Sequence, residues 1–130
     1  MSKYDEHILK QVNAFPTKAE RGTAERVFDE FGEDILFLAP ERISGVKTPD
    51  FEMSGKRWEI KIVTGASRHT IENNFRTAIN QSGNIIFDLR KSKLPSSKYI
   101  GEIKRQFRMT PVVKNLIIIQ KNGEMSVDTK

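Results

Sequence analysis

The sequence predicts a mixed α/β domain in which a central sheet is flanked by helices. Two observations carry this prediction. Apolar residues recur at helical spacing in three segments, and short runs rich in Ile, Val and Phe lie between those segments. The chain has 130 residues, of which 37% are hydrophobic and 30% charged, as is usual for one globular domain. It contains no cysteine, which excludes disulfides and thiolate metal sites.

The first predicted helix is bounded by its caps. Thr17 is a favoured N-cap residue, and Gly32 follows the last of several apolar residues at helical spacing. The polar stretch before this helix predicts a short helix that is broken at Pro16. We therefore expect residues 1–16 to form an N-terminal extension and residues 17–130 to form a single domain.

Strands and two further helices are predicted along the rest of the chain. Apolar runs bounded by turn residues predict strands over residues 34–40, 50–53, 58–63, 84–89, 112–120 and 124–128. Helical spacing of apolar residues predicts helices over residues 70–82 and 95–107. Asn122-Gly123 predicts a tight turn between the last two strands. The order is thus helix, three strands, helix, strand, helix and two strands.

Positive charge is concentrated in the second half of the chain. Residues 1–60 carry 9 Lys/Arg and 12 Asp/Glu, whereas residues 61–130 carry 13 and 5. Seven basic residues between positions 90 and 108 are opposed by a single acid: Arg90, Lys91, Lys93, Lys98, Lys104, Arg105 and Arg108. Such a cluster is typical of phosphate contacts in nucleic-acid binding, and a solvated helix face is the simpler alternative.

Acidic residues interrupt two strands that should simply alternate apolar and solvated positions. Side chains alternate along a strand, so Trp58 and Ile60 are predicted to face the core, while Glu59 and Lys61 face the other side. If the preceding strand pairs with this one through the turn at Ser54-Gly55, Asp50 lies near Glu59.

Two carboxylates placed this close repel each other unless a cation lies between them, and hard oxygen ligands suit Mg²⁺ or Mn²⁺. A lysine beside the ion can orient or deprotonate a water molecule or hold a phosphate oxygen. Asp50, Glu59 and Lys61 therefore predict metal-assisted hydrolysis of a phosphodiester. The alternative is a solvated hairpin on which Glu59 and Lys61 form an exposed pair.

The segments Pro49-Asp50-Phe51 and Glu59-Ile60-Lys61 resemble the motif of the PD-(D/E)XK nuclease superfamily. The element order of residues 17–89 also resembles the restriction-endonuclease-like core of that superfamily. The resemblance implies that Asp50 and Glu59 are metal ligands, that the carbonyl of Ile60 completes the metal site, and that Lys61 is the catalytic lysine. It also implies cleavage that leaves a 5′-phosphate.

The same superfamily usually adds a glutamate from the first helix, and Glu20 and Glu25 compete for this role. A helical wheel places Glu20 in line with Ala24, on the side of the helix that faces the sheet. A carboxylate there needs a partner or an ion, so Glu20 is preferred. The segment from Thr17 to Glu20 also has the spacing of a capping box, in which Glu20 would only close the start of the helix. Both interpretations remain open at this point.

Further substrate contacts are predicted beside these residues. Ser67, Arg68, His69 and Thr70 follow the third strand and carry groups that suit phosphate, although a lone loop histidine is more often merely solvated. Gln81 borders the apolar face of the second helix, where the superfamily often places a polar residue near the metal; a polar residue that merely ends the helix before Gly83 is the alternative. On the third helix, the predicted contacts are Lys104, Arg105 and Arg108.

Most of residues 17–127 is similar to the C-terminal nuclease domains of contact-dependent growth inhibition toxins. This resemblance rests on the sequence from Lys47 through the strands and helices to Glu124. It implies a tRNase or DNase that uses Mg²⁺, Mn²⁺ or Zn²⁺, acts in the cytoplasm of a target cell, and is blocked by an immunity protein. No signal peptide or membrane-spanning run is found. A phage- or repair-associated DNA nuclease and a non-catalytic nucleic-acid-binding module remain as alternatives.

Overall fold

The computed structural model describes residues 2–41, 48–65, 70–78 and 82–130. Its strands are β1 (Ile8–Lys10), β2 (Ile35–Phe37), β3 (Phe51–Met53), β4 (Lys56–Ile62), β5 (Asn84–Asp88), β6 (Asn115–Ile119) and β7 (Met125–Thr129). Its helices are α1 (Lys18–Phe31), α2 (Thr70–Ala78) and α3 (Ser97–Met109). The predicted order of elements from α1 to β7 is confirmed, with the boundaries displaced by a few residues.

The strands form one seven-stranded sheet, in which their spatial order is the same as their order in the chain. The pairs β1–β2, β4–β5 and β5–β6 are parallel, and the pairs β2–β3, β3–β4 and β6–β7 are antiparallel. Parallel neighbours need crossover connections, which α2 and α3 provide between β4, β5 and β6. The predicted mixed α/β architecture with a central sheet flanked by helices is confirmed.

Helices cover both faces of the sheet. Successive residues of β5 alternate between the two cores, because Ile86 packs with α1, whereas Ile85 and Phe87 pack with α2 and α3. Trp58 and Ile60 belong to the core beneath α1, as predicted. Glu59, between them in β4, therefore points to the face of the strand opposite to Trp58 and Ile60. No helix in the described ranges is long and apolar enough to cross a lipid bilayer.

Helix α1 begins and ends at its predicted caps. The backbone N–H of Glu20 donates to the hydroxyl of Thr17 at 3.1 Å, and the Thr17 N–H donates to Glu20 Oε1 at 2.7 Å. At the other end, Gly32 has a φ of 68°, a left-handed conformation that glycine adopts without a Cβ clash. Its N–H donates to the carbonyl of Phe28 at 2.7 Å.

A two-residue turn joins β3 to β4 and sets their register. Ser54 and Gly55 both have positive φ, at 55° and 74°, which matches the primed turns whose twist fits a hairpin. The turn pairs Phe51 with Trp58 and Met53 with Lys56. A slip of one residue would turn Glu59 to the opposite face, so this turn determines where the acid lies.

The predicted helix in the N-terminal stretch is wrong, because turns lead there into strand β1. Ile8, which is buried, pairs with Ile35 of β2. The ring of His7 stacks on Phe28 with centroids 4.8 Å apart, and its Nδ1 lies 2.8 Å from Asp34 Oδ1. The backbone of residues 8–10 thus hydrogen-bonds to the edge of β2. This long-range pairing replaces the hydrogen bonds of a local helix.

Candidate active site

The β3–β4 hairpin brings Asp50 and Glu59 together. Asp50 lies immediately before β3, and its N–H donates to the carbonyl of Trp58 at 3.0 Å. Its carboxylate folds back onto β4, where Oδ2 accepts the N–H of Ile60 at 2.7 Å. Glu59, the residue before Ile60, has its carboxyl group within hydrogen-bonding reach of Asp50. The predicted proximity of the two acids is therefore present in the structure.

The side chain of Glu59 is buried in a setting that opposes its charge. Only 2% of the residue is exposed, and Oε2 has no hydrogen-bond partner among the described residues. Burial is the main cause that raises the pKa of Glu59 to about 9, and the adjacent Asp50 adds to the shift. Lys61 and the N–H of Ile60 lower this pKa in part. Glu59 is thus protonated at neutral pH unless a positive charge comes close to it.

Glu20 serves the helix cap and the acid cluster at the same time. Its Oε1 closes the capping box with Thr17, while its carboxyl group also lies within hydrogen-bonding reach of Asp50. Burial and then Asp50 raise the pKa of Glu20, and the hydrogen bond from Thr17 opposes them. Glu25 instead pairs with Arg21 at 3.6 Å. The geometry therefore favours Glu20 over Glu25 and shows that the capping box and the cluster coexist.

The three acids form a row, with Asp50 in contact with both Glu20 and Glu59. Within the described ranges, no three His, Cys, Asp or Glu side chains form a ready-made metal cage. Mg²⁺ does not need such a cage, since it is commonly held by one or two carboxylates and completed by water and substrate oxygens. Glu59 Oε2, which no described residue hydrogen-bonds, and the all-oxygen donor set fit a hard divalent cation such as Mg²⁺ or Mn²⁺ better than Zn²⁺.

Lys61 lies on the same face of β4 as Glu59, one step further along the strand. Its side chain is half-buried, and it makes no hydrogen bond or ion pair with another described residue. Lys61 is close enough to Glu59 to lower the pKa of that acid. The ammonium group is therefore available to a bound anion at the edge of the acid cluster.

An open cleft of about 210 Å³ gives access to the acids from solvent. Its lining residues come from the segment before α1, from α1 itself, from β2 and the residues after it, and from the residue before β3: Ala14, Phe15, Pro16, Glu20, Phe37, Leu38, Pro40 and Asp50. Two of the three acids thus line a cavity that a substrate can enter.

Most of the substrate contacts predicted after β4 and at the end of the second helix cannot be placed. Ser67, Arg68, His69 and Gln81 lie outside the described residues. Thr70 is the first residue of α2, which follows β4 in the chain.

The structure does not bring the three basic residues of α3 to the acids. The start of α3 lies beyond the carboxyl end of β4, where Tyr99 Oη donates to the carbonyl of Gly65 at 2.5 Å. Its far end lies beside Lys130, whose ammonium donates to the carbonyls of Phe107 and Thr110. Lys104, Arg105 and Arg108 belong to this second half of the helix. In addition, Glu102 binds the guanidinium of Arg105 at 2.7 and 2.9 Å.

A buried clasp that the sequence did not predict holds α1 against β5. Asp88 accepts hydrogen bonds from Thr23 Oγ1 at 2.6 Å and from the guanidinium of Arg90 at 2.8 and 3.0 Å. Arg90 also donates to the carbonyl of Gly22. Burial alone would raise the pKa of Asp88, but these hydrogen bonds outweigh it and hold the pKa below its usual value. Arg90 is therefore occupied in the fold, and the clasp fixes the turn of α1 that follows Glu20.

We expect Asp88→Ala to lower the free energy of unfolding by about 2–3 kcal/mol, because it leaves the partly buried Arg90 and the buried Thr23 without their acceptor. Urea unfolding followed by circular dichroism measures this loss. Glu30→Ala is the matched control, since it removes an exposed pair with Arg26 on the same helix and should cost about 0.5 kcal/mol or less. Equal losses in the two variants would contradict the clasp.

Comparisons with known proteins relate the chain to one family. The family model described as "Contact-dependent growth inhibition CdiA C-terminal domain" matches residues 47–125. A solved CdiA-CT/CdiI toxin and immunity complex from Burkholderia pseudomallei contains a similar chain, with a TM-score of 0.62 and 18% sequence identity. The alignment covers 94% of this chain and 99% of that one, and at this identity it shows a shared fold. A search of curated proteins found no match.

Proposed function

The chain belongs to the family of contact-dependent growth inhibition CdiA C-terminal domains, and from this premise we propose that it is a metal-dependent nuclease of toxin type. We assign the catalytic groups to residues 17–130, with the PD-(D/E)XK arrangement of Asp50, Glu59 and Lys61, while β1 of the N-terminal extension adds a strand to the same sheet. The observation that carries the proposal is the buried Glu59 beside Asp50, whose Oε2 has no hydrogen-bond partner in the part of the chain that the structure describes. A fold keeps such a group where its chemistry is used, since it otherwise costs stability.

Asp50 and Glu59 would hold the divalent cation. The N–H and the carbonyl of one residue in a strand point to the same side, and the N–H of Ile60 already points to Asp50. The Ile60 carbonyl is therefore directed to the side where β3 has ended, which supports it as a further ligand. A bound cation would stabilise charge on the phosphate and lower the pKa of a water molecule.

The protein groups around this position supply orientation and protons. Lys61 Nζ can donate to a non-bridging phosphate oxygen and so orient the scissile group. Burial and the neighbouring Asp50 raise the pKa of Glu20, which makes its carboxylate a stronger base for accepting a proton from an attacking water. Water would attack phosphorus as the bond to the 3′-oxygen breaks and that oxygen takes up a proton from solvent, which leaves a 5′-phosphate and a 3′-hydroxyl.

We further propose that a cognate immunity protein inactivates this domain and that its substrate, tRNA or DNA, is met in the cytoplasm of a target cell. The similar solved structure is a complex of a toxin with its immunity protein, which supports the first part. The excess of basic residues in the second half of the chain supports a nucleic-acid substrate.

Phosphate contacts should be strongest near the carboxyl ends of β4 and β5, where α/β sheets usually bind ligands. Lys91 follows β5 and Lys98 lies in the first turn of α3; both are exposed. We expect Lys91→Glu with Lys98→Glu to weaken binding of a tRNA probe more than Lys104→Glu with Arg108→Glu. Each lost contact should reduce the salt dependence, log Kd against log salt, by about 0.7–0.9. Fluorescence anisotropy over a salt series measures the affinity and its salt dependence. A larger effect of the Lys104 and Arg108 changes would contradict this placement.

A cleavage assay on total tRNA and on plasmid DNA tests the proposal. Each substrate is incubated with the protein in Mg²⁺, Mn²⁺ or Zn²⁺, and in EDTA. Cutting of one substrate that EDTA abolishes and added metal restores would support the nuclease and identify its substrate. Binding without cutting under every metal would refute the nuclease and favour a nucleic-acid-binding module.

A further inference from the structure

An aromatic ring is exposed at the entrance to the candidate active site. Phe15 is 80% exposed, although phenylalanine is usually buried. It lines the same cleft as Glu20 and Asp50. A large apolar side chain at the mouth of a polar cleft indicates a ligand with a flat apolar surface.

The backbone around Phe15 is fixed on both sides. Ala14, the preceding residue, is 1% exposed and packs in the core beneath α1. Thr17, two residues later, is the N-cap of α1 and is held by the capping box. The backbone that carries the ring is therefore held in place on both sides, which lowers the entropy cost of stacking a ligand on the ring.

A cation accompanies the ring. Lys10 Nζ lies 5.4 Å from the centroid of Phe15 and donates to the carbonyl of Ala14 at 3.4 Å. An aromatic face beside a positive charge matches the two parts of a nucleotide, a base with a π-face and a phosphate with negative charge. A purely apolar protein partner would not use Lys10.

We propose that Phe15 stacks on an unpaired base beside the scissile phosphate and that Lys10 binds a neighbouring phosphate. A base stacks on such a ring only after it has left the duplex, so the site selects single-stranded or looped nucleic acid. This inference rests on the proposed nuclease function, because it assigns the same cleft to the same substrate.

Binding to an inactive form tests the inference separately from catalysis. In a Glu59→Gln background with Mg²⁺, anisotropy measures the affinity for short single-stranded RNA and DNA carrying 2-aminopurine, and for the matching duplexes. Phe15→Ala should weaken binding of the single strand about 5- to 100-fold and relieve the quenching of 2-aminopurine, with the duplex unaffected. Phe15→Trp should retain both signals. Val12→Ala is the matched control, since Val12 is 88% exposed but does not line the cleft.

Three results would overturn the inference. They are unchanged single-strand affinity in Phe15→Ala, an equal loss on duplex and single strand, and no binding of any probe. Failure of the nuclease proposal is distinguishable, because it appears as a wild-type protein that stacks the base but never cuts.

Discussion

Replacing Glu59 with glutamine is expected to abolish nuclease activity and, at the same time, to stabilise the metal-free protein at pH 8. Glutamine keeps the volume of the side chain but removes a proposed metal ligand. Removing a residue that only hydrogen-bonds to a metal ligand lowers activity about 10- to 100-fold. Removing the ligand itself should cost more, so we expect activity to fall by more than about 100-fold. Stability should rise because at pH 8 the wild-type Glu59, which is ionised in the unfolded chain, must take up a proton when the protein folds, whereas glutamine requires none. Cleavage with Mg²⁺ and urea unfolding in EDTA measure the two effects.

Glu52→Gln provides the control for both measurements. Glu52 is a half-buried acid of β3 that lies in a different cavity from Asp50, so its loss should change stability by less than about 0.5 kcal/mol and leave cleavage intact. The site is diagnosed by the two effects of Glu59→Gln together, a loss of cleavage activity and a gain in stability. A Glu59→Gln protein that cuts like the wild type, or that is less stable than the wild type in EDTA at pH 8, would contradict the site.

Without metal, the wild-type protein should lose stability as the pH rises from about 5 to about 9. The unfolded pKa of Glu59 is near 4.5 and the folded pKa is about 9, so between these values the folded state binds more protons than the unfolded state. The contribution of Glu59 is fully present below pH 4.5 and falls by up to about 1.4 kcal/mol per pH unit. Urea unfolding in EDTA over this range measures it as the difference between the wild type and Glu59→Gln.

A divalent cation should remove this dependence on pH. Because it favours the carboxylate form of Glu59, it competes with the proton and stabilises the folded state, by about 2.7 kcal/mol at one hundred times Kd. The same addition should leave Glu59→Gln nearly unchanged. Parallel stability curves for the wild type and the variant in EDTA would show that Glu59 titrates normally, and the electrostatic argument for the site would fail.

The sequence predicted the hairpin and its acids because local rules determine them. The alternation along β4 and the turn at Ser54-Gly55 fix the register, so Asp50 and Glu59 had to meet. The limits of α1 followed from Thr17 and Gly32 for the same reason. The choice between cap and cluster for Glu20 was not an exclusive one, because a carboxylate has two oxygens.

Features that depend on distant parts of the chain were missed. Strand β1 has three residues, too few to show alternation, and its pairing depends on the free edge of β2. Arg90 was interpreted as a phosphate contact because the clasp that holds it and Asp88 is completed by Gly22 and Thr23 of α1, which are distant in the sequence. The pair between Glu102 and Arg105 was readable, since residues three apart on a helix are neighbours.

The acid row at the start of α1 and β3 also has a meaning in terms of the folding landscape. Among the described residues, the caps of α1, the turn at Ser54-Gly55 and the alternation along β4 satisfy their local preferences, as expected of a minimally frustrated sequence. Glu20, Asp50 and Glu59 differ from these features, since their carboxyl groups oppose one another in the native state. The unfavourable energy of these three carboxyl groups lowers the stability of the fold, and a positive charge placed among them would relieve it.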